Sequence, residues 1–393
     1  MNTTNNTDEN LSRNDEVCGR SDTTYVHAHR GQTEPQSPVS PPLVLSTTFR
    51  RDDHGLPGHF FYSRVANPNR ESFEHAMCSL EHGAMAFAFA SGLAASMAVF
   101  QTLAAGDHVV FPDDVYYGVR LQLTNLAVLH GVSCTAVDMS DIAAVRRACL
   151  PSTRLLWIET PSNPLLKICD ISAIVSCAHQ IGARVVCDNT WATPVLQHPL
   201  LLGCDAVVHS ATKFIGGHSD VLLGCVVVRD DSSFAQHLHR IHTIGGAVAS
   251  AHDCWMASRG LQTLPVRIRA ASSSAARIAD FLHAHVHVER VLFPGLRSHP
   301  GCELALSQML LPGAMLSVVL KGSDLYAQSV AAQLCLFAHA TSLGGVESLV
   351  EHRASVEPAD SGTPGSLLRF SIGLEDCDEL IADLDSALKA TPH

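Results

Sequence analysis

The chain has 393 residues and a net charge of −12, with 16% charged and 46% hydrophobic residues. That length allows two domains and a large core, while the acidic balance and the lack of a basic stripe argue against a nucleic-acid partner. No run of about 20 apolar residues is present, so no segment is expected to span a membrane.

The 13 cysteines are scattered without a Cys-x-x-Cys pair, and several (Cys187, Cys225, Cys335) sit in apolar runs as small hydrophobes. An odd count without a framework points to a reducing, cytoplasmic setting. Residues 1–24 are polar, with acids at Asp8, Glu9, Asp15 and Glu16 that do not suit a transit peptide, and are expected to form a disordered tail. Residues 25–65 read as an N-terminal arm. Prolines 35, 38, 41 and 42 favour an extended chain there. The arm ends in Phe61-Tyr-Ser-Arg-Val-Ala-Asn-Pro, where Tyr62 and Arg64 are donors of the kind that binds phosphate. A solvated turn is the other reading of that segment.

From about residue 70 the pattern alternates. Strands are predicted at Ala84–Phe89, His108–Phe111, Leu155–Ile158, Arg184–Cys187, Ala206–Val208 and Cys225–Val228, with helices at Leu93–Leu103, Asp141–Cys149 and Asp170–Ile181. This cadence predicts an α/β domain over 66–255, with a mainly parallel sheet, helices on both faces and a ligand site at the carboxyl edge. Residues 256–393 read as a smaller α+β domain. There Ala249–Arg290 looks largely helical, Ala314–Leu320 is apolar, Leu325–Phe337 is helical, Leu367–Ile372 is a strand and Cys377–Lys389 closes the chain as a helix. His283, His285 and His287 alternate as they would on one face of a strand. No carboxylate or cysteine completes a ligand pattern with them, so no metal site is expected.

The chemistry concentrates at the strand ends. Lys213 lies in Ser210-Ala-Thr-Lys-Phe-Ile-Gly-Gly, directly after a buried strand. Desolvation there lowers an amine's pKa and frees its lone pair for a carbonyl. With the Ser210 and Thr212 hydroxyls beside it, it reads as a Schiff-base lysine for pyridoxal 5'-phosphate; an ordinary surface lysine is the alternative. Asp188 ends the strand before, where a carboxylate can keep the cofactor's ring nitrogen protonated. In Ala90-Ser-Gly-Leu-Ala-Ala a helix opens after a strand, so Gly92 and Leu93 can offer bare N–H groups to a phosphate. The Tyr116 and Tyr117 pair follows another strand, and a ring there can stack on a pyridine. Arg369 sits inside an apolar strand and needs an anion, either a substrate carboxylate or a core acid.

Together these segments closely resemble the Cys/Met-metabolism family of pyridoxal-phosphate enzymes, from about Tyr25 to Leu388. The runs Ser210–Gly217 and Ser342-Leu-Gly-Gly-Val-Glu-Ser-Leu carry most of the likeness. The resemblance implies fold type I, the aspartate-aminotransferase-like transferase fold with a seven-stranded, mainly parallel sheet. It also implies a homotetramer of two tight dimers. Lys213 would carry the cofactor and Asp188 would face its ring nitrogen. Gly92, Leu93, Ser210 and Thr212 would bind phosphate, joined by Tyr62 and Arg64 from a partner subunit. Tyr116 would stack on the ring and assist proton transfer, Asn163 would touch the phenolic oxygen, and Arg369 would clamp the substrate carboxylate with Ser342 nearby.

Three positions depart from the family pattern. Thr341 and Phe61 stand where acids for the distal ammonium of cystathionine are usual, and Gly118 stands where methionine γ-lyases carry a cysteine. The distal pocket is therefore expected to be less acidic than in a dedicated cystathionine γ-enzyme. The implied activity is trans-sulfuration on sulfur amino acids, by β- or γ-elimination or γ-replacement, most like a cystathionine γ-lyase or γ-synthase. A cystathionine β-lyase, a methionine γ-lyase, a fold-related aminotransferase and an inactive cofactor-binding scaffold are the alternatives.

Overall fold

In the computed structural model, which describes residues 22–28, 36–357 and 362–391, seven strands build the larger sheet. They are β1 (Met85–Phe89), β2 (His108–Pro112), β3 (Ser133–Val137), β4 (Thr153–Glu159), β5 (Arg184–Asp188), β6 (Ala206–Ser210) and β7 (Gly224–Val228), in spatial order β1-β7-β6-β5-β4-β2-β3. All neighbours are parallel except β7, which runs antiparallel to both β1 and β6. The central runs Leu155–Ile158, Val185–Cys187 and Ala206–Val208 are buried throughout. A parallel sheet covered by helices on both faces requires such strands to be apolar on both sides. Apolar clusters accordingly fill both faces: Phe73, Leu156 and Val185 belong to one, Phe100, Trp157 and Val208 to the other.

The smaller sheet has the order β10-β11-β12-β9-β8, from β8 (Val288–Leu292), β9 (Met315–Leu320), β10 (Ala338–His339), β11 (Leu349–His352) and β12 (Leu367–Ser371). Its core packs Leu316, Val318, Leu368 and Phe370 against Leu380 and Leu384 of the closing helix Cys377–Ala390. Helicity ends earlier than the sequence pattern indicates. The helix Leu264–His283 stops with Ala284 as its C-cap, and Val288–Leu292 pairs with β9 as a strand. His283 is therefore helical, while His285 and His287 lie in the connection, so the three rings do not share a strand face. Among the described residues no group of three His, Cys, Asp or Glu side chains is placed to hold a metal ion.

At the N-terminus the last residues of the expected tail are ordered: Asp22–His27 is a helix, and Arg269 donates to both Asp22 carboxylate oxygens at 2.6 and 2.7 Å. The rest of that tail, and Pro35 of the arm, lie outside the described residues. No described helix is long and apolar enough to cross a membrane.

Candidate active site

β4, β5 and β6 end side by side, with Glu159 opposite Asp188 and Asp188 opposite Val208 in the strand register. Their carboxyl ends open on a cavity of about 990 Å³, mouth included. Its wall contains Gly92, Leu93, Tyr116, Asn163, Asp188, Ser210, Thr212, Lys213, Ser342 and Arg369. Tyr62 and Arg64 are not on that wall. Both are exposed on the arm, where Arg64 donates to the Thr243 carbonyl at 2.6 Å and its guanidinium lies 5.5 Å from the Tyr62 ring centre.

Lys213 is set by the turn that follows β6, in which its N–H donates to Ser210 O and its carbonyl accepts from Gly217 N. The amine crosses to the smaller domain, where Nζ donates to Ser342 Oγ at 2.8 Å. Burial brings its pKa down to about 8, helped by the positive charges of Arg369 and Arg353 and opposed by Glu351. The Ser342 loop is pressed onto this turn. Gly344 has φ 81°, and a Cβ there would lie 2.5 Å from the Phe214 nitrogen.

Asp188 Oδ1 accepts from Thr190 N at 3.0 Å, and the carboxylate joins no ion pair among the described residues. Burial pushes its carboxyl up, against the pull of the Thr190 hydrogen bonds and His209. Glu159, the last residue of β4, is a site residue that sequence reasoning passes over. Burial and the Asp188 charge push its carboxyl well up. Its Oε2 accepts from Tyr116 N at 3.0 Å, which fixes the start of the helix Tyr117–His130. The Tyr116 ring fills the space a side chain at Gly118 would need, since a Cβ there would come within 2.7 Å of Tyr116 Cε1.

Opposite, Ser91 caps the helix Gly92–Phe100 by accepting from Ala94 N. The first N–H groups of a helix have no acceptor inside it, and here they belong to Gly92 and Leu93 on the cavity wall. Ser210 presses on that helix start, and its hydroxyl makes no hydrogen bond among the described residues. The Thr212 hydroxyl is already engaged, donating to Leu223 O at 3.2 Å and accepting from Leu223 N at 2.9 Å.

Arg369 is buried in β12 and meets the core acid that sequence reasoning left open. Nη2 donates to Glu351 Oε2 at 2.6 Å and to Ser342 O at 3.2 Å, and Nη1 donates to Asn163 Oδ1 at 2.9 Å. Burial lowers its pKa to about 10, helped by Arg353 and opposed by Glu351. Glu351 belongs to β11 and pairs with Arg369 in register. Burial alone would raise its carboxyl, but Arg369 and Arg353 hold it below the usual range, aided by the Thr341 hydroxyl. Thr341 and Arg353 also line the cavity. Sequence reasoning missed the Glu351 and Arg353 pair. Val-Glu-His-Arg carries no motif, and only the strand register shows that Glu351 faces Arg369.

This donor set fits pyridoxal phosphate. A half-buried carboxylate paired with no cation suits a protonated ring nitrogen, a desolvated primary amine suits its aldehyde, and a bare helix N-terminus with a free hydroxyl suits its phosphate. The fit is also supported by relatedness. Residues 22–389 match the family described as Cys/Met metabolism PLP-dependent enzyme. The cystathionine gamma-synthase of Mycobacterium tuberculosis is 42% identical over 373 residues, covering 93% of this chain and 96% of its own. The cystathionine gamma-lyase of Dictyostelium discoideum is 42% identical over 375 residues, covering 93% and 97%. The crystal structure of metB from Corynebacterium glutamicum superposes with a TM-score of 0.91 at 38% identity, covering 94% of this chain and 97% of that one. The chain belongs to the Cys/Met metabolism family of pyridoxal-phosphate-dependent enzymes.

Proposed function

We propose that this family member acts on cystathionine-type amino acids by γ chemistry, as a γ-lyase or γ-synthase. The γ preference is supported by the likeness to cystathionine gamma-synthases and gamma-lyases, and the observation that carries the amino-acid chemistry is that one residue, Ser342, is bonded to both Lys213 and Arg369. A base and a carboxylate anchor are thereby held a fixed distance apart, as proton removal next to a carboxylate requires.

Pyridoxal phosphate, held by Asp188, Ser210, Thr212, Gly92, Leu93 and Asn163, supplies an electron sink for the substrate's α-carbon. Arg369 binds the substrate carboxylate through the two N–H groups its three hydrogen bonds leave over. The Lys213 amine, with a pKa of about 8, is partly neutral near pH 7 and takes the α-proton. Such general-base help contributes about 10²–10⁴-fold. For a leaving group at Cγ the amine would first hand the α-proton on to the electron sink and so be free to take a second proton from Cβ. Ser342 Oγ keeps it within reach, and the Tyr116 hydroxyl would deliver a proton to the departing group and recover one from the lysine ammonium.

The same reading extends to the assembly. Tyr62 and Arg64, exposed on the arm, complete the phosphate site of a partner subunit in a homotetramer. The arm spans 25–65, the cofactor domain 66–255 and the small domain 256–393. The described cysteines are all free thiols, which favours the cytoplasm.

The test is product analysis. The holoenzyme is incubated with cystathionine, homocysteine, methionine and an O-acylhomoserine in turn, with and without a keto acid. Release of 2-oxobutyrate from cystathionine supports the γ reading. Pyruvate would replace it with β chemistry, and turnover only with added keto acid would replace it with transamination.

A further inference from the structure

We propose that Arg353 determines substrate specificity: with Arg369 it forms a pair of guanidiniums that selects amino acids carrying a second carboxylate. The proposal deepens the proposed function, since it rests on Arg369 holding the first carboxylate.

Arg353 opens the short 3-10 turn Arg353–Ser355 directly after β11, so its backbone continues the strand that carries Glu351. His352 anchors that turn, its ring bonded to the Gly365 carbonyl and the Ser355 hydroxyl, both at 2.5 Å. The Arg353 side chain is only 6% exposed and lines the same cavity as Lys213 and Arg369. Three of its five N–H groups go to carboxylates: Nη1 to Glu351 Oε2 at 2.6 Å, Nε to Glu357 Oε1 at 3.1 Å, and Nη2 also to Glu357 Oε1. Two N–H groups remain.

The second observation concerns Glu351. Its Oε2 accepts from Arg369 and from Arg353, each at 2.6 Å, while Oε1 is buried without a partner. One carboxylate oxygen is thus shared by two guanidiniums, which are near neighbours because both bond to it. Glu357 completes the charge balance of the pair, so a second substrate carboxylate is recognised through the two planar N–H groups that Arg353 keeps rather than through a missing counter-charge. On the cavity wall Thr341, next to Ser342, is uncharged. Selection by charge at the far end of the substrate therefore falls to a cation. Buried guanidiniums with spare planar donors favour carboxylates strongly over methyl groups.

The test compares two unreactive amino acids, L-2-aminoadipate and L-norleucine, which differ by a carboxylate in place of a methyl. Their binding to the holoenzyme is measured by calorimetry for the wild type, Arg353→Gln and Glu357→Gln. The wild type is expected to bind aminoadipate at least about tenfold more tightly. Arg353→Gln should bring the two affinities together with norleucine unchanged. Glu357→Gln, which removes a competing carboxylate and keeps the arginine, should preserve or widen the preference. Equal losses for both ligands in Arg353→Gln would show a brace for the turn and overturn the proposal. So would a preference that survives in Arg353→Gln or disappears in Glu357→Gln. Norleucine bound by the wild type with no preference for aminoadipate would overturn this proposal alone. Binding of neither would overturn the amino-acid reading and this proposal together.

Discussion

Lys213 Nζ donates to Ser342 Oγ at 2.8 Å, and Ser342 holds that position from a backbone with φ 127°. Non-glycine residues rarely adopt that conformation, and holding it costs about 1–3 kcal/mol. The strain places a hydroxyl at the amine that a relaxed loop would leave distant. Ser342→Ala should therefore keep the fold and lower kcat/KM about tenfold to hundredfold, the value of one hydrogen bond to a charged group. Ser342→Gly should lose the same activity and yet melt higher than Ser342→Ala, because glycine adopts that backbone without strain. Steady-state kinetics and thermal melts on the two variants check this. Equal melting temperatures would show that the backbone is not strained.

The lowered pKa of Lys213 predicts a pH profile. Burial first, then Arg369 and Arg353, bring the amine from 10.5 to about 8. Below the folded pKa the neutral, reactive fraction grows about tenfold per pH unit, and above it the fraction saturates. The rate at which apoprotein takes up pyridoxal phosphate, trapped on Lys213 with borohydride, should climb to about pH 8 and then level off. The sign is fixed by desolvation, which disfavours the charged amine. A rate still climbing tenfold per unit well above pH 8 would show a solvated lysine.

Glu159 should matter as a hydrogen-bond acceptor rather than as a charge. Burial and the neighbouring Asp188 favour its neutral form, while its oxygen fixes Tyr116 N. Glu159→Gln keeps an acceptor of the same shape and should change stability by less than about 1 kcal/mol. Glu159→Ala leaves the Tyr116 N–H unsatisfied and opens a void, which costs about 2–4 kcal/mol. Denaturant melts of the two variants separate the cases. A Gln variant as unstable as the Ala variant would mean that the charge is required.

Much of this site was legible because its parts lie at ends of apolar runs. β5 and β6 are short hydrophobic stretches closed by Asp188 and by Ser210, and a parallel sheet places such ends together. The edge strand β3 was not legible. Ser133–Val137 is half exposed, so its composition lacks the buried-strand signal. The smaller domain's contribution was legible only as a lone arginine in a strand. That Arg369 meets Glu351 depends on pairing β11 with β12, a register between segments separated by a connection no local pattern specifies. Arg353 was hidden for the same reason. An arginine after a strand end reads as a solvated cap until the fold turns it onto the cavity wall.

The two glycines at the ends of the site should respond differently to an added methyl. At Gly92 the new Cβ would lie 2.7 Å from Ser210 Cβ and 2.9 Å from its hydroxyl oxygen. A side chain can yield in part, so Gly92→Ala should fold with a loss of about 1–3 kcal/mol. The displaced Ser210 hydroxyl and crowded helix start should weaken cofactor retention, read by dialysis and absorbance. At Gly344 the new Cβ would lie 2.5 Å from Phe214 N, with the residue held at φ 81°. Backbone cannot yield without moving the turn that carries Lys213, and alanine adds strain at that φ. Gly344→Ala should therefore be the more damaging of the two in stability. It should also displace Ser342 from Lys213, so the lysine's uptake profile should shift along with the melting temperature. A Gly344→Ala protein that melts like the wild type would show that the loop is not pressed against the lysine turn.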